Sequence, residues 1–365
     1  MAFYFVTLPG FAVGGAMALA PAQALLGLLG APWRRLLRQR AETWMLLAAL
    51  AAFAAWACAS VIWAPDPQTR QGWRLIGGLI GGALFVLGAG IDGPSRRLIR
   101  ATGAAAMAVM LAGLAVEALA GMPINRIAQP HAEYGWLMRN PGRGATVAVV
   151  LTWGALGALV GGRTHERILW KAIAVGAGFI ALQFDMAANA IGFALGAGAF
   201  ALGFLAFRLT LWTLIAGLCA WLIAAPWATP RLAEALGPHL PDSWIARVQI
   251  WRAVCARIAA DLWRGDGLDA ARHYPEIPLH PHSGSLQIWV ELGGVGVSLA
   301  VLALIAAGLA AQRAFAERPA AGAALCGVIA SAGLIANVSY GVWQEWWIAT
   351  IFSGVALAVA ARRAP

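Results

Sequence analysis

Apolar runs of roughly 17–25 residues, separated by short charged or Pro-rich breaks, repeat along the whole chain. That is the length a helix needs to cross a ~30 Å hydrocarbon core with its backbone groups satisfied internally. A β-barrel would show alternating segments of ~10 residues instead. With 61% hydrophobic and 12% charged residues, the chain also lacks the polar surface that a soluble globule of 365 residues must present. The pattern predicts an all-α, polytopic transmembrane bundle.

The runs lie at about 3–30, 44–63, 75–91, 102–120, 144–161, 171–185, 187–206, 210–228, 286–310, 320–337 and 347–361. This makes about eleven spans, or twelve if the first run, interrupted by Pro9 and Pro21, is a hairpin. Ala18-Leu-Ala20 has the look of a signal-peptidase site, but no positive charge precedes it, so the first run is expected to be a retained span. Alternate breaks are Arg-rich: Arg34, Arg35, Arg38 and Arg40; Arg96, Arg97 and Arg100; Arg163, Arg167 and Lys171; Arg208; Arg313 and Arg318; Arg362 and Arg363. The positive-inside rule makes these cytoplasmic and turns 64–74, 121–143, 185–189, 229–285 and 338–346 outward. The chain reads as one membrane domain, 1–365, with 229–285 as its large outer loop.

The net charge of +10 follows from these breaks. The arginines do not line one face with interleaved aromatics, so nucleic acid is not the expected partner. Cys58, Cys219 and Cys326 lie in apolar runs and Cys255 stands alone in the polar segment, which points to packing rather than a metal or disulfide framework. Glycines four apart, Gly77/Gly81, Gly78/Gly82 and Gly192/Gly196, are expected to let helices approach closely. Tryptophans near span ends, such as Trp63, Trp227 and Trp343, suit the lipid interface.

Segment 229–285 holds four of the six histidines. Its first half opens on Asp242-Ser243 and places Trp244, Val248, Trp251 and Val254/Cys255 at helical spacing, an amphipathic helix with a capping signal. Arg247 sits three to four residues from both tryptophans. It can offer a planar fork of donors to phosphate, or snorkel to lipid headgroups. The second half is rich in Gly and Pro and delivers His280 and His282 to the start of the next span, where a partly buried imidazole can stay neutral and act as a general base. A metal held by His273, His280 and His282 with Asp266 or Asp269 is a weaker reading, because a His-x-His pair on extended chain points its rings to opposite sides.

The run His280-Pro-His-Ser-Gly-Ser-Leu-Gln-Ile-Trp-Val-Glu-Leu-Gly-Gly-Val-Gly296 resembles the H-N-x-x-L-x-x-x-x-E-L-G-x-x-G signature of the O-antigen ligase/O-antigen polymerase superfamily. Arg247-x-x-x-Trp251 followed by Gly265-Asp-Gly267 resembles that family's R-x-x-x-W … G-x-G element, and Ser60-Val-Ile-Trp-Ala-Pro-Asp-Pro67 its first outer loop. The specific likeness covers about 244–296. It implies a GT-C-like fold in a bacterial inner membrane and an active site facing the periplasm. The implied reaction moves a glycan from an undecaprenyl-diphosphate donor to a hydroxyl of lipid A–core or of another glycan, with no metal or cofactor. By the same likeness His282 is the base on the acceptor hydroxyl and Arg247 binds the diphosphate.

Two positions depart from the family. Ser283 follows His282 where Asn is usual, and the turn that usually holds Ser-Arg reads Asp185-Met-Ala-Ala-Asn189. Asp185 and Asn189, four apart, are expected on one helix face, with Asn189 donating to a phosphate or sugar oxygen and Arg139 or Arg143 supplying the missing charge. Arg252, Arg272 and His280 complete the candidate substrate-binding set. A transporter of polyisoprenoid-linked glycans is the competing reading, although such proteins tend to show paired halves and no internal symmetry is evident here.

Overall fold

The computed structural model describes residues 1–36, 39–91, 94–237 and 242–362, and of 35, 36, 94, 242 and 243 the backbone alone. Arg38, His239 and Arg363 lie outside the described residues, as do the side chains of Arg35, Asp242 and Ser243, and with them the expected Asp/Ser cap. The chain is an all-α polytopic membrane protein. Its helices are α1 (Ala2–Gly14), α2 (Leu19–Gly30), α3 (Ala41–Ala59), α4 (Gln71–Ala89), α5 (Pro94–Leu119) and α6 (Arg139–Leu159), followed by α7 (Thr164–Ala181), α8 (Ala187–Leu236), α9 (Asp242–Ala260), α10 (Gly284–Phe315), α11 (Pro319–Val338) and α12 (Glu345–Ala360).

Among the described residues seven helices, α3 to α6, α8, α10 and α11, are long and apolar enough to cross a membrane. At 1.5 Å per residue the 50 residues of α8 would reach ~75 Å, far more than one crossing. The helix folds at Ala206 (φ −146°, ψ 64°), beside Arg208. Its first arm runs antiparallel to α11, with Gly192 against Ile335 and Gly203 against Cys326. Its second arm returns along α10, where Trp212 Nε1 donates to Gln312 Oε1 and Trp289 Nε1 to the Leu222 carbonyl. The two spans expected at 187–206 and 210–228 are these arms, but the second continues through Pro226 and Pro230 to Leu236, so the polar segment begins later than residue 229.

The first run is a hairpin. Tyr4 and Gln23 both bond to Ser353 Oγ on α12, at 2.8 Å each, while the tip is held by Asn125 and Asn140, which donate to the carbonyls of Val13 and Gly14. Helix α6 is the axis of the bundle, since nearly all of its residues from Pro141 to Leu159 are buried. The close-approach reading holds at Gly81, whose added Cβ would stand 2.6 Å from Ala24 Cα, and at Gly82, Gly192 and Gly196. Gly77 faces open space.

The Arg-rich breaks gather at one end. There Arg362 donates to the Gly90 carbonyl and Arg100 to that of Ala158, and the Phe207 and Phe315 rings meet. The other breaks gather at the opposite end, where Trp63 donates to the Gly265 carbonyl, Thr69 to Asp269, and Thr146 meets Tyr340. This second end carries the candidate site.

Candidate active site

The scaffold of the site is an interlock between the Gly265-Asp-Gly267 turn and a break in α10. Gly293 adopts φ 62°, ψ −167° inside the helix, which turns the backbone groups around it outward. The loop uses them: Asp266 N–H donates to the Val290 carbonyl, Gly267 N–H to that of Glu291, and Gly294 N–H to that of Leu262, at 2.7–2.8 Å. Gly267 has φ +96°, and a Cβ there would lie 2.6 Å from Ala64 Cα, so only glycine fits between this turn and the 60–64 loop. Ser60 Oγ accepts from Leu268 N–H on the same side. The buried Glu291 carboxylate ties the parts together by accepting from Asp269 N–H at 2.7 Å, Gln287 Nε2 at 3.0 Å and Trp343 Nε1 at 2.5 Å. The three short motifs read from the sequence are thus one structural unit.

Helix α9 lies over this unit on its apolar face, with Ile250, Trp251, Val254 and Ile258 buried and Trp244, Val248 and Cys255 partly so. Burial pushes the Cys255 thiol up to about 11, which keeps it an inert packing group. Trp251 Nε1 donates to the Pro281 carbonyl at 2.9 Å and so fixes the histidine turn. One turn earlier, Arg247 lies 5.6 Å from the Trp244 ring and donates through Nη1 to the Val338 carbonyl at 2.8 Å. It is therefore held at the end of α11 with the rest of its donor fork uncommitted to any carboxylate among the described residues. Burial lowers its pKa and the neighbouring Tyr340 opposes that shift.

The His280 and His282 rings are 4.3 Å apart, on the same side of the chain. The expected opposition fails because the segment is not extended: His282 has φ +54°. His282 N–H donates to His280 Nδ1 at 3.2 Å, and His282 Nδ1 lies 2.7 Å from the Ser339 carbonyl. A carbonyl oxygen only accepts, so Nδ1 of His282 carries the proton and Nε2 keeps its lone pair. Burial lowers the pKa of His282, and Arg247 lowers it further, against the opposing bond to Ser339. His280 is pushed down to about 3 by burial and by His282, Arg272 and Arg247, so both rings are neutral near pH 7.

Beside Ser339, the Tyr340 hydroxyl meets Thr146 Oγ1 at 3.0 Å, and Thr146 Oγ1 donates to Asn189 Oδ1 at 2.9 Å. The Gly142 carbonyl lies 3.2 Å from the same Thr146 Oγ1, and since both it and Asn189 Oδ1 only accept, Thr146 spends its one proton on them and accepts from Tyr340. Burial first raises the Tyr340 pKa, to about 12, with Arg143 and Arg247 among the groups that pull it back. Tyr340 and Thr146 did not stand out in the sequence. The only available signal was a tyrosine in an outward break, which also suits an interfacial belt.

The structure thus brings His280, His282, Arg247, Asn189 and Arg143 into one neighbourhood, although Asn189 is 0% exposed and acts on it through Thr146. Asp185 is not on a helix face with Asn189. It is exposed in a turn, φ +52°, before α8 begins, because the chain must reverse between α7 and α8. Arg252 is exposed on α9, Arg272 pairs with Asp269 at 3.0 Å, and Arg139 stacks on Trp136 at 3.8 Å.

An apolar groove of about 800 Å³ opens between the two arms of α8 and α11. Its end at the site is formed by Trp244, Trp251, Ser283 and Val338. Those residues flank Arg247 and His282 directly, so a polar centre stands at the mouth of the apolar groove.

Over 241 residues the chain is 25% identical to a protein of Rickettsia felis described as "Putative polysaccharide ligase"; the alignment covers 60% of this chain and 57% of that protein. The chain therefore spans little more than half the length of this curated relative. No family model matches the chain, and no solved structure matches it.

Proposed function

We propose that the chain is a glycan transferase of the O-antigen ligase/polymerase type, working at the periplasmic face of a bacterial inner membrane. The observation that carries this reading is that Arg247 and His282 are held on consecutive carbonyls, Val338 and Ser339, at the mouth of the apolar groove. The groove takes the isoprenoid tail of an undecaprenyl-diphosphate donor, and the diphosphate rests against Arg247. The acceptor oxygen attacks the anomeric carbon, the bond from that carbon to the diphosphate oxygen breaks, and the hydroxyl proton passes to His282 Nε2. Guanidinium meets the charge that grows on the leaving diphosphate, so the leaving group departs without a metal. A neutral imidazole is the form that can take the proton. Tyr340 supports the reading as a phenol that stays protonated, bonded to Thr146, beside Arg143 and Arg247.

Complementation of a deletion strain with His282→Ala and Arg247→Ala tests it. Both variants should reach the membrane and fail to restore the surface glycan on a gel. Wild-type glycan from both would remove the enzymatic assignment. Long unattached chains in the knockout would mark a ligase, and single lipid-linked repeats a polymerase.

A further inference from the structure

Six described non-glycine residues have positive φ, a conformation that costs about 1 kcal/mol or more for most side chains. Three of them, Asp269, Leu279 and His282, belong to the loop of the site described above. The other three, Met122, Phe184 and Asp185, all line one small cavity of about 190 Å³ at the same end of the bundle. Strain gathered in this way marks places where the surrounding fold holds side chains in set positions.

The cavity has the chemistry of a sugar subsite. Tyr134, 49% exposed, presents a ring and a hydroxyl, and Asp185 and Gln183 add a carboxylate and an amide. Gln183 Nε2 donates to the Phe179 carbonyl at 3.3 Å, which leaves its Oε1 available as an acceptor. Among the described residues no group bonds to the Tyr134 hydroxyl or the Asp185 carboxylate. An aromatic face with carboxylate and amide acceptors suits a pyranose, whose C–H face is apolar and whose rim carries O–H donors. At ~30 Å³ per water the cavity has the bulk of about six waters, on the scale of one sugar ring rather than a lipid tail.

Its place is also informative. Met186, the residue after Asp185, reaches the Arg247/His282 neighbourhood: its Sδ lies 3.8 Å from the Tyr340 hydroxyl and 3.7 Å from Asn189 Nδ2. We infer that this cavity is a saccharide subsite for the acceptor, binding a sugar ring next to the one that carries the reacting hydroxyl. The assignment to the acceptor rests on the transferase reading; the binding of a saccharide does not.

Saturation-transfer NMR on the full-length protein in nanodiscs, with the methyl glycosides of glucose, galactose, mannose and N-acetylglucosamine as probes, tests it. At least one glycoside should give a signal, and Tyr134→Ala and Asp185→Asn should each weaken its binding about tenfold, the loss of one stacking or hydrogen-bonding partner. Asn tolerates the left-handed conformation, so Asp185→Asn leaves the turn intact, and an unchanged gel-filtration profile identifies folded variants. No signal from any glycoside, or a signal unchanged in both folded variants, overturns the subsite. His282→Ala separates the two readings, since it should slow transfer about 10²–10⁴-fold and keep the glycoside signal. Absence of transfer by the wild-type protein would sink the transferase reading while the NMR result still decided the subsite.

Discussion

His282 donates through Nδ1 to the Ser339 carbonyl at 2.7 Å, and this bond decides which ring nitrogen can work as a base. The carbonyl belongs to the residue before Tyr340 and after Val338, the acceptor for Arg247. One short segment at the end of α11 therefore sets the tautomer of His282, the position of the Arg247 guanidinium and the position of the Tyr340 phenol.

On the transferase reading, the pH dependence follows from that geometry. Burial lowers the His282 pKa below its usual ~6.5, so Nε2 stays unprotonated to lower pH than in a free histidine. Initial rates should fall as pH drops through a value below 6.5 rather than at it. His282→Ala should lose that limb and run about 10²–10⁴ slower. A wild-type acid limb centred above pH 7 would contradict the assignment.

His280 has a consequence for stability. Its folded pKa of about 3 lies below the unfolded value near 6.5, so between these pH values the unfolded chain binds one more proton. Above pH 6.5 the group contributes nothing to the pH dependence, and stability falls as pH drops below it, by on the order of 2 kcal/mol at pH 5. His280→Gln retains an acceptor for His282 N–H. Its apparent melting temperature should change less than the wild type's between pH 7 and 5, read by thermal unfolding in detergent.

Much of this site was legible where chemistry and local periodicity coincide. Arg247 and Trp251 share a face of α9 because an amphipathic helix leaves them no other choice, and the break at Arg208 announced the fold in α8. Tyr340, Thr146 and Asn189 were not legible as a group, since their bonds join residues 43 and 194 positions apart and no period encodes that. The Asp185 and His280/His282 orientations were misjudged for one reason. Each turns on a positive-φ residue, where helical or extended spacing no longer applies.

Glu291 should matter for folding more than its distance from the reacting atoms suggests. Glu291→Leu strands Asp269 N–H, Trp343 Nε1 and Gln287 Nε2 without their acceptor, at about 1–3 kcal/mol for each group that stays buried. Glu291→Gln keeps an acceptor oxygen and should be milder. Limited proteolysis of the 261–283 loop reads the difference: rapid cleavage in Glu291→Leu, slower in Glu291→Gln, and equal rates in all three proteins would contradict the strut.

If the groove holds a donor's tail as proposed, it offers the sharpest separation of donor binding from folding. Gly198 and Gly217 both line it, one on each arm of α8, and a Cβ at either would meet nothing within 4 Å. The first carbon of a side chain is thus accommodated at both positions, and Phe there would extend from the walls into the groove. Replacing a helical glycine by Phe also recovers part of a cost of about 1 kcal/mol, so Gly198→Phe and Gly217→Phe should be at least as thermally stable as the wild type. An isoprenoid tail would then lose its channel, while a donor cut to two or three isoprene units would keep its diphosphate at Arg247. Transfer from the full-length donor should fall at least about tenfold in each variant, and transfer from the truncated donor should change little. Equal loss with both donors would show that the groove does not hold the tail.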